Sequence, residues 1–65
     1  MGVGITYGGE TEVFYDDGNH EVGGHVFTIT FGETDAVVGS VIDGTTISAL
    51  AEHTYNSAEF YWAGG

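Results

Sequence analysis

The fold turns on the stretch Asp43-Gly44-Thr45-Thr46-Ile47-Ser48-Ala49-Leu50-Ala51-Glu52-His53. Two periods fit it. Ile47, Leu50, Ala51, Tyr55 and Ala58 recur at helical spacing behind Thr45 or Thr46 as a cap, without the Glu or Gln three residues on that completes a capping box. Alternatively, Asp43-Gly44 is a two-residue hairpin turn and Thr45 to Leu50 returns as a strand. Ser48-Ala49-Leu50-Ala51-Glu52 is poor strand material, so the expectation is one short helix near residues 46–56. The fold class is then small α+β, an antiparallel sheet of four to five short strands with that helix; the alternative is an all-β barrel or sandwich.

Upstream of this stretch the chain reads as strand throughout. Val3, Ile5 and Tyr7 alternate with Gly4 and Thr6, Gly8-Gly9 forms a turn, and Thr11 to Tyr15 returns. A second reversal follows at Asp16-Asp17-Gly18-Asn19, where Gly and Asn tolerate positive φ. His25 to Phe31 is the cleanest strand, with His25, Phe27, Ile29 and Phe31 on one face and Val26, Thr28 and Thr30 on the other; Phe27, Ile29 and Phe31 belong in the core. Ala36 to Ile42 is a further β-branched run. Downstream, Ala58 to Trp62 closes the chain as an aromatic strand. Residues 1–65 make one small, acidic, β-rich domain without repeat or linker.

Composition limits what such a domain does. There is no Lys and no Arg, where a chain of this length ordinarily carries about seven, and ten Asp and Glu leave a formal net charge of -10. No carboxylate can pair with a cationic Lys or Arg of its own chain, so water, backbone N–H groups, hydroxyls, the three His, the N-terminal amine or a bound ion must serve. Direct binding to nucleic-acid phosphates and to anionic membrane surfaces is excluded, since both need basic side chains. No run approaches the roughly 18 apolar residues of a membrane span, and the N-terminus shows no signal-peptide pattern; the expectation is a soluble chain, cytoplasmic or in a virion. Without Cys, stability comes from apolar packing, strand pairing or neighbouring subunits.

The patterns that could carry chemistry are weak. His20-Glu21-Val22-Gly23-Gly24-His25 has one residue too many between its histidines for a zinc-protease motif, and Gly23-Gly24 breaks the helix that motif needs. His53 is a third histidine for a structural or adventitious metal, but hydrogen-bonded turn and strand histidines are the simpler expectation, so no metal, cofactor or catalytic residue is assigned. Asp16, Asp17, Asn19 and Glu21 gather oxygen ligands suited to weak binding of Ca²⁺ or Mg²⁺, outside the EF-hand order. Gly2-Val3-Gly4 lacks the third glycine of a dinucleotide fingerprint, no Gly-x-Ser-x-Gly elbow surrounds Ser40, Ser48 or Ser57, and there is no Cys nucleophile, Schiff-base Lys or phosphate-clamping Arg. The expectation is a protein that is not an enzyme.

Phe60-Tyr61-Trp62 carries more information. Strand alternation turns Tyr61 one way and Phe60 and Trp62 the other, so both faces bear large aromatic surface, more than so small a domain buries. These three residues are the candidate interface, with a protein partner or a homo-oligomeric assembly opposite them.

From His25 onward, the order strand, turn, strand, Asp43-Gly44-Thr45-Thr46 and then Ile47 to His53 resembles the strand-strand-helix unit of ubiquitin-like β-grasp proteins, and Gly64-Gly65 resembles the end of their small modifiers and sulfur carriers. The resemblance implies a helix packed on a sheet, a Gly65 carboxylate adenylated by an E1-like enzyme, and, with no Lys, a modifier unable to accept conjugation on its own side chains. The leading expectation is a non-enzymatic structural or interaction protein of a larger assembly, such as a virus capsid-associated or decoration protein, with a composition that suits a halophilic system. A DNA-mimic inhibitor of a basic nucleic-acid-binding protein is the alternative, and the modifier the second alternative.

Overall fold

A computed structural model describes residues 1–51 and 57–64 in full and 53–55 as backbone. Its strands are β1 (Gly2–Tyr7), β2 (Glu10–Phe14), β3 (Gly18–Val22), β4 (His25–Phe31), β5 (Ala36–Ile42), β6 (Thr45–Leu50), β7 (His53–Tyr55) and β8 (Ala58–Ala63). They form two four-stranded antiparallel sheets, ordered β2-β1-β8-β7 (sheet A) and β3-β4-β5-β6 (sheet B). Each strand follows its chain neighbour, and β8 returns beside β1. The result is an up-and-down meander folded into a sandwich.

The expected helix near 46–56 is not there; among the described residues no helix occurs, and the all-β alternative describes the fold. Two local causes decide it. Asp43 and Gly44 both take positive φ (52° and 76°), the two-residue turn whose twist feeds straight into a paired strand. The register then runs from Ile42 opposite Thr45 to Val37 opposite Leu50, which turns Ile47 and Ala49 into the core and Thr46, Ser48 and Leu50 outward. The helical spacing is a coincidence of Leu50, the one apolar residue of β6 that strand alternation leaves in solvent. Loss of this helix also removes the β-grasp unit. Eight strands replace the expected four to five, because β3 and β7 are short strands in turn-rich sequence and β6 is weakly patterned.

The core lies between the sheets. Val3 and Ile5 of β1 and Ala58 and Phe60 of β8 face Phe27 and Ile29 of β4, Ala36, Val38 and Ile42 of β5, and Ile47 and Ala49 of β6. Phe27 sits at its centre, edge-on to Phe60 at 5.9 Å and to Tyr7 at 5.9 Å between ring centroids. Ser40 shares the inward phase of β5 and satisfies its hydroxyl by donating to the Val26 carbonyl at 2.8 Å.

No ladder joins β2 to β3, so side chains close that corner. The Phe14 ring stacks on His20 at 4.2 Å, His20 Nε2 donates to the Asp16 carbonyl at 2.8 Å, Glu10 Oε1 accepts the Gly23 N–H at 2.6 Å and Asp17 Oδ1 accepts the Phe31 N–H at 3.0 Å. The hairpin tips interlock here. Gly23 lies so close to β1 that a Cβ on it would stand 2.4 Å from the Tyr7 carbonyl oxygen and 3.0 Å from Gly8 Cα.

Candidate functional surface

The strand alternation that builds the core also builds two outer faces. On β4, β5 and β6 of sheet B the outward residues are Val26, Thr28 and Thr30, then Val37, Gly39 and Val41, then Thr46, Ser48 and Leu50. None of them ionises. Val26 (50% exposed), Val37 (39%), Val41 (56%) and Leu50 (57%) stand in solvent there, four of the seven large apolar side chains exposed among the described residues. The register lays Thr28, Gly39 and Ser48 in one row across the sheet, and Gly39, lacking a side chain, leaves a shallow hollow of about 540 Å³ between the flanking valines. Acids ring this face: Glu21 outward on β3, Asp43 in one turn, and Glu33 and Asp35 in the loop between β4 and β5.

Sheet A carries an aromatic face instead. Gly2 and Gly4 point outward from β1, and side chains fill the space above them: a Cβ at Gly4 would lie 2.0 Å from Tyr61 Cζ, and one at Gly2 would lie 2.6 Å from Tyr15 Cε1. Each tyrosine ring therefore rests directly on backbone, with Tyr15 58% exposed. Thr6 and Thr11 share this face and hydrogen-bond at 2.9 Å.

The three residues proposed from sequence thus separate. Phe60 is buried in the core (3% exposed), Trp62 is half-buried and packs against the core from the same side, and Tyr61 lies outward over Gly4. The sheet B face as a whole is not evident from the sequence, although the outward phase of Val26, Thr28 and Thr30 in β4 is.

Carboxylates are unevenly placed. Glu10, Glu12, Asp16, Asp17 and Glu21, half of the ten, lie along β2, its crossing to β3, and β3. Two of the five are engaged with backbone N–H groups, as described for Glu10 and Asp17, whereas β6 on the opposite edge of sheet B has no ionisable residue. His20 is held by Phe14 and Asp16; His25 meets Tyr7 edge-on at 4.9 Å and donates from Nδ1 to the Val41 carbonyl at 3.2 Å. The His53 side chain lies outside the described residues, as does Gly65. Among the described residues no three His, Asp or Glu side chains gather where they could hold one metal ion, and no helix is long and apolar enough to cross a membrane. Gly64 is exposed and outside any strand. No protein-family model, curated protein or solved structure matches the chain.

Proposed function

We propose that this chain is a non-enzymatic interaction protein of a larger assembly, and that it meets its protein partner through the outer face of sheet B. One observation carries the reading: in a chain of net charge -10, four exposed aliphatic side chains share a single face on which β4, β5 and β6 present no charge. Exposed apolar surface is common one residue at a time; gathered on one flat face with an acidic rim, it marks a contact surface. The partner is a protein with an apolar centre bordered by Lys and Arg, because every cation in the contact must come from its side. On the outer face of the opposite sheet, Tyr15 and Tyr61 offer an aromatic contact to a second neighbour, as a subunit between two others requires.

Tagged protein recovered from its native source at low salt tests this. The partner should co-purify with the wild type, be lost with the uncharged polar pair Val26→Gln and Val41→Gln at a closely similar melting temperature, and survive Glu12→Gln. Retention by the double variant sinks the proposal. A second reading, mimicry of nucleic acid by the acidic flank, is supported by the five carboxylates that lie along β2, its crossing to β3, and β3. It differs in outcome: Glu12→Gln would weaken binding, and DNA would displace the partner.

A further inference from the structure

We infer that β6 is a self-pairing edge, through which two copies of this chain join antiparallel about a two-fold axis to make one continuous eight-stranded sheet from two copies of sheet B. The inference rests on backbone groups and charge placement, and stands whether or not the sheet B face binds a partner.

The phase of the β5–β6 hairpin fixes which backbone groups are free. In a two-residue hairpin the pair flanking the turn exchanges both hydrogen bonds, and such pairs alternate along the ladder. Counting from Ile42 opposite Thr45, the bonded pairs are Ser40 with Ile47 and Val38 with Ala49, and the series ends on the Ala51 N–H donating to the Ala36 carbonyl at 3.2 Å. Thr46, Ser48 and Leu50 therefore aim their N–H and C=O groups away from β5, toward the open edge. Among the described residues nothing accepts or donates there. An unpaired strand edge of this kind is a template for another strand unless charge, proline or a bulge blunts it.

Among the described residues no charge, proline or bulge within β6 blunts it, and Asp43 stands in the flanking turn. Of the four edge strands, β2 carries Glu10 and Glu12, β3 carries Glu21 beside Asp16 and Asp17, and β7 contains His53; β6 alone, Thr45-Thr46-Ile47-Ser48-Ala49-Leu50, has no ionisable residue. This decides the occupant. A chain with no Lys or Arg has little with which to neutralise its own carboxylates across an interface, so self-association favours an uncharged edge. Pairing at β6 also puts the acidic β2–β3 flanks at the far ends of the dimer, beyond the roughly 10 Å screening length of physiological salt from the joint, since sheet B spans three strand spacings of about 4.8 Å. Centred on Ser48, the copies bond Ser48 to Ser48 and Thr46 to Leu50 in both directions. An edge of six residues buries less than the roughly 800 Å² per partner of a standard interface, so the dimer is weak, dissociating at micromolar concentration or above.

The test uses the whole chain, which has no cysteine of its own. Ser48→Cys should form a disulfide-linked dimer on mild oxidation, because the facing Cα atoms lie about 5.5 Å apart, within disulfide reach; Thr11→Cys, on the outer face of sheet A, is the collision control and should link at least tenfold more slowly. Light scattering of the unmodified chain at several hundred micromolar should show association that grows with NaCl. Ser48→Glu and Ser48→Lys should both weaken it at least tenfold while keeping the wild-type melting temperature, since each sets like charges face to face. Equal linking of the two cysteine variants, a monomer at all concentrations and salts, or tighter association of Ser48→Lys, which is what simple relief of net charge would give, overturns the inference.

Discussion

Gly23→Ala and Gly24→Ala form a matched pair that tests how the two sheets lock together. Both glycines are in the left-handed region, at φ 58° and 81°, so alanine costs about 1–2 kcal/mol at either site for backbone conformation alone. Their surroundings differ completely. Nothing lies within 4 Å of a Cβ at Gly24, whereas a Cβ at Gly23 meets the Tyr7 carbonyl oxygen at 2.4 Å, its carbon at 2.8 Å and Gly8 Cα at 3.0 Å. All three are backbone atoms, which cannot swing aside as a side-chain tip can. Relief requires the β1–β2 and β3–β4 tips to part, which disturbs the Glu10 carboxylate on the Gly23 N–H and adds an overpacking cost of about 1–3 kcal/mol. Each kcal/mol shifts the melting temperature of so small a domain by roughly 4–8 °C. Gly24→Ala should therefore melt about 4–16 °C below wild type, and Gly23→Ala at least another 4 °C lower or unfolded, followed by emission of the single Trp62. Equal losses at the two sites would refute the interlocked hairpin tips.

Three other outcomes follow from the same geometry. Melting temperature should rise by several degrees between 20 mM and 1 M NaCl, because ten carboxylates repel one another with no Lys or Arg to offset them; a flat or falling curve in a salt series counts against this. Phe27→Ala should cost about 3–5 kcal/mol, enough to unfold a domain of this size, since the ring fills the centre between Tyr7 and Phe60; a folded, cooperative variant in urea titration contradicts that placement. Leu50→Thr should stay within about 0.5 kcal/mol of wild type in the same titration, for the side chain is 57% exposed; a large loss would return Leu50 to a core, as the helical period required.

Most of the sandwich could be read along the chain, and its failures are local. His25 to Phe31 and Ala36 to Ile42 alternate cleanly because one face of each is buried, so their inward residues, Phe27, Ile29 and Val38, are legible by parity alone. Thr45 to Leu50 reads as helix in the sequence because intrinsic preference weighs Ser, Ala and Leu without β5 beside them; a paired neighbour overrides that preference. The direction of each ring in Phe60-Tyr61-Trp62 followed from parity, but how much of each is covered did not: Gly2 and Gly4 make room for Tyr15 and Tyr61, a pairing that only the β1–β8 register and the chain turn after Phe14 bring about. The uncharged face of sheet B was equally beyond a linear reading, because Val26, Val41 and Leu50 come from three strands and meet only once the hairpins set their registers.

The most direct probe of the proposed contact is photo-crosslinking in extract of the native source, with a photoreactive phenylalanine analogue placed singly at Val41, at Val26 or, as control, at Thr11. Discrete crosslinked products of one partner mass at positions 26 and 41, and none at 11, are expected. Products at position 11 alone, or at none of the three, contradict a partner seated on the outer face of sheet B.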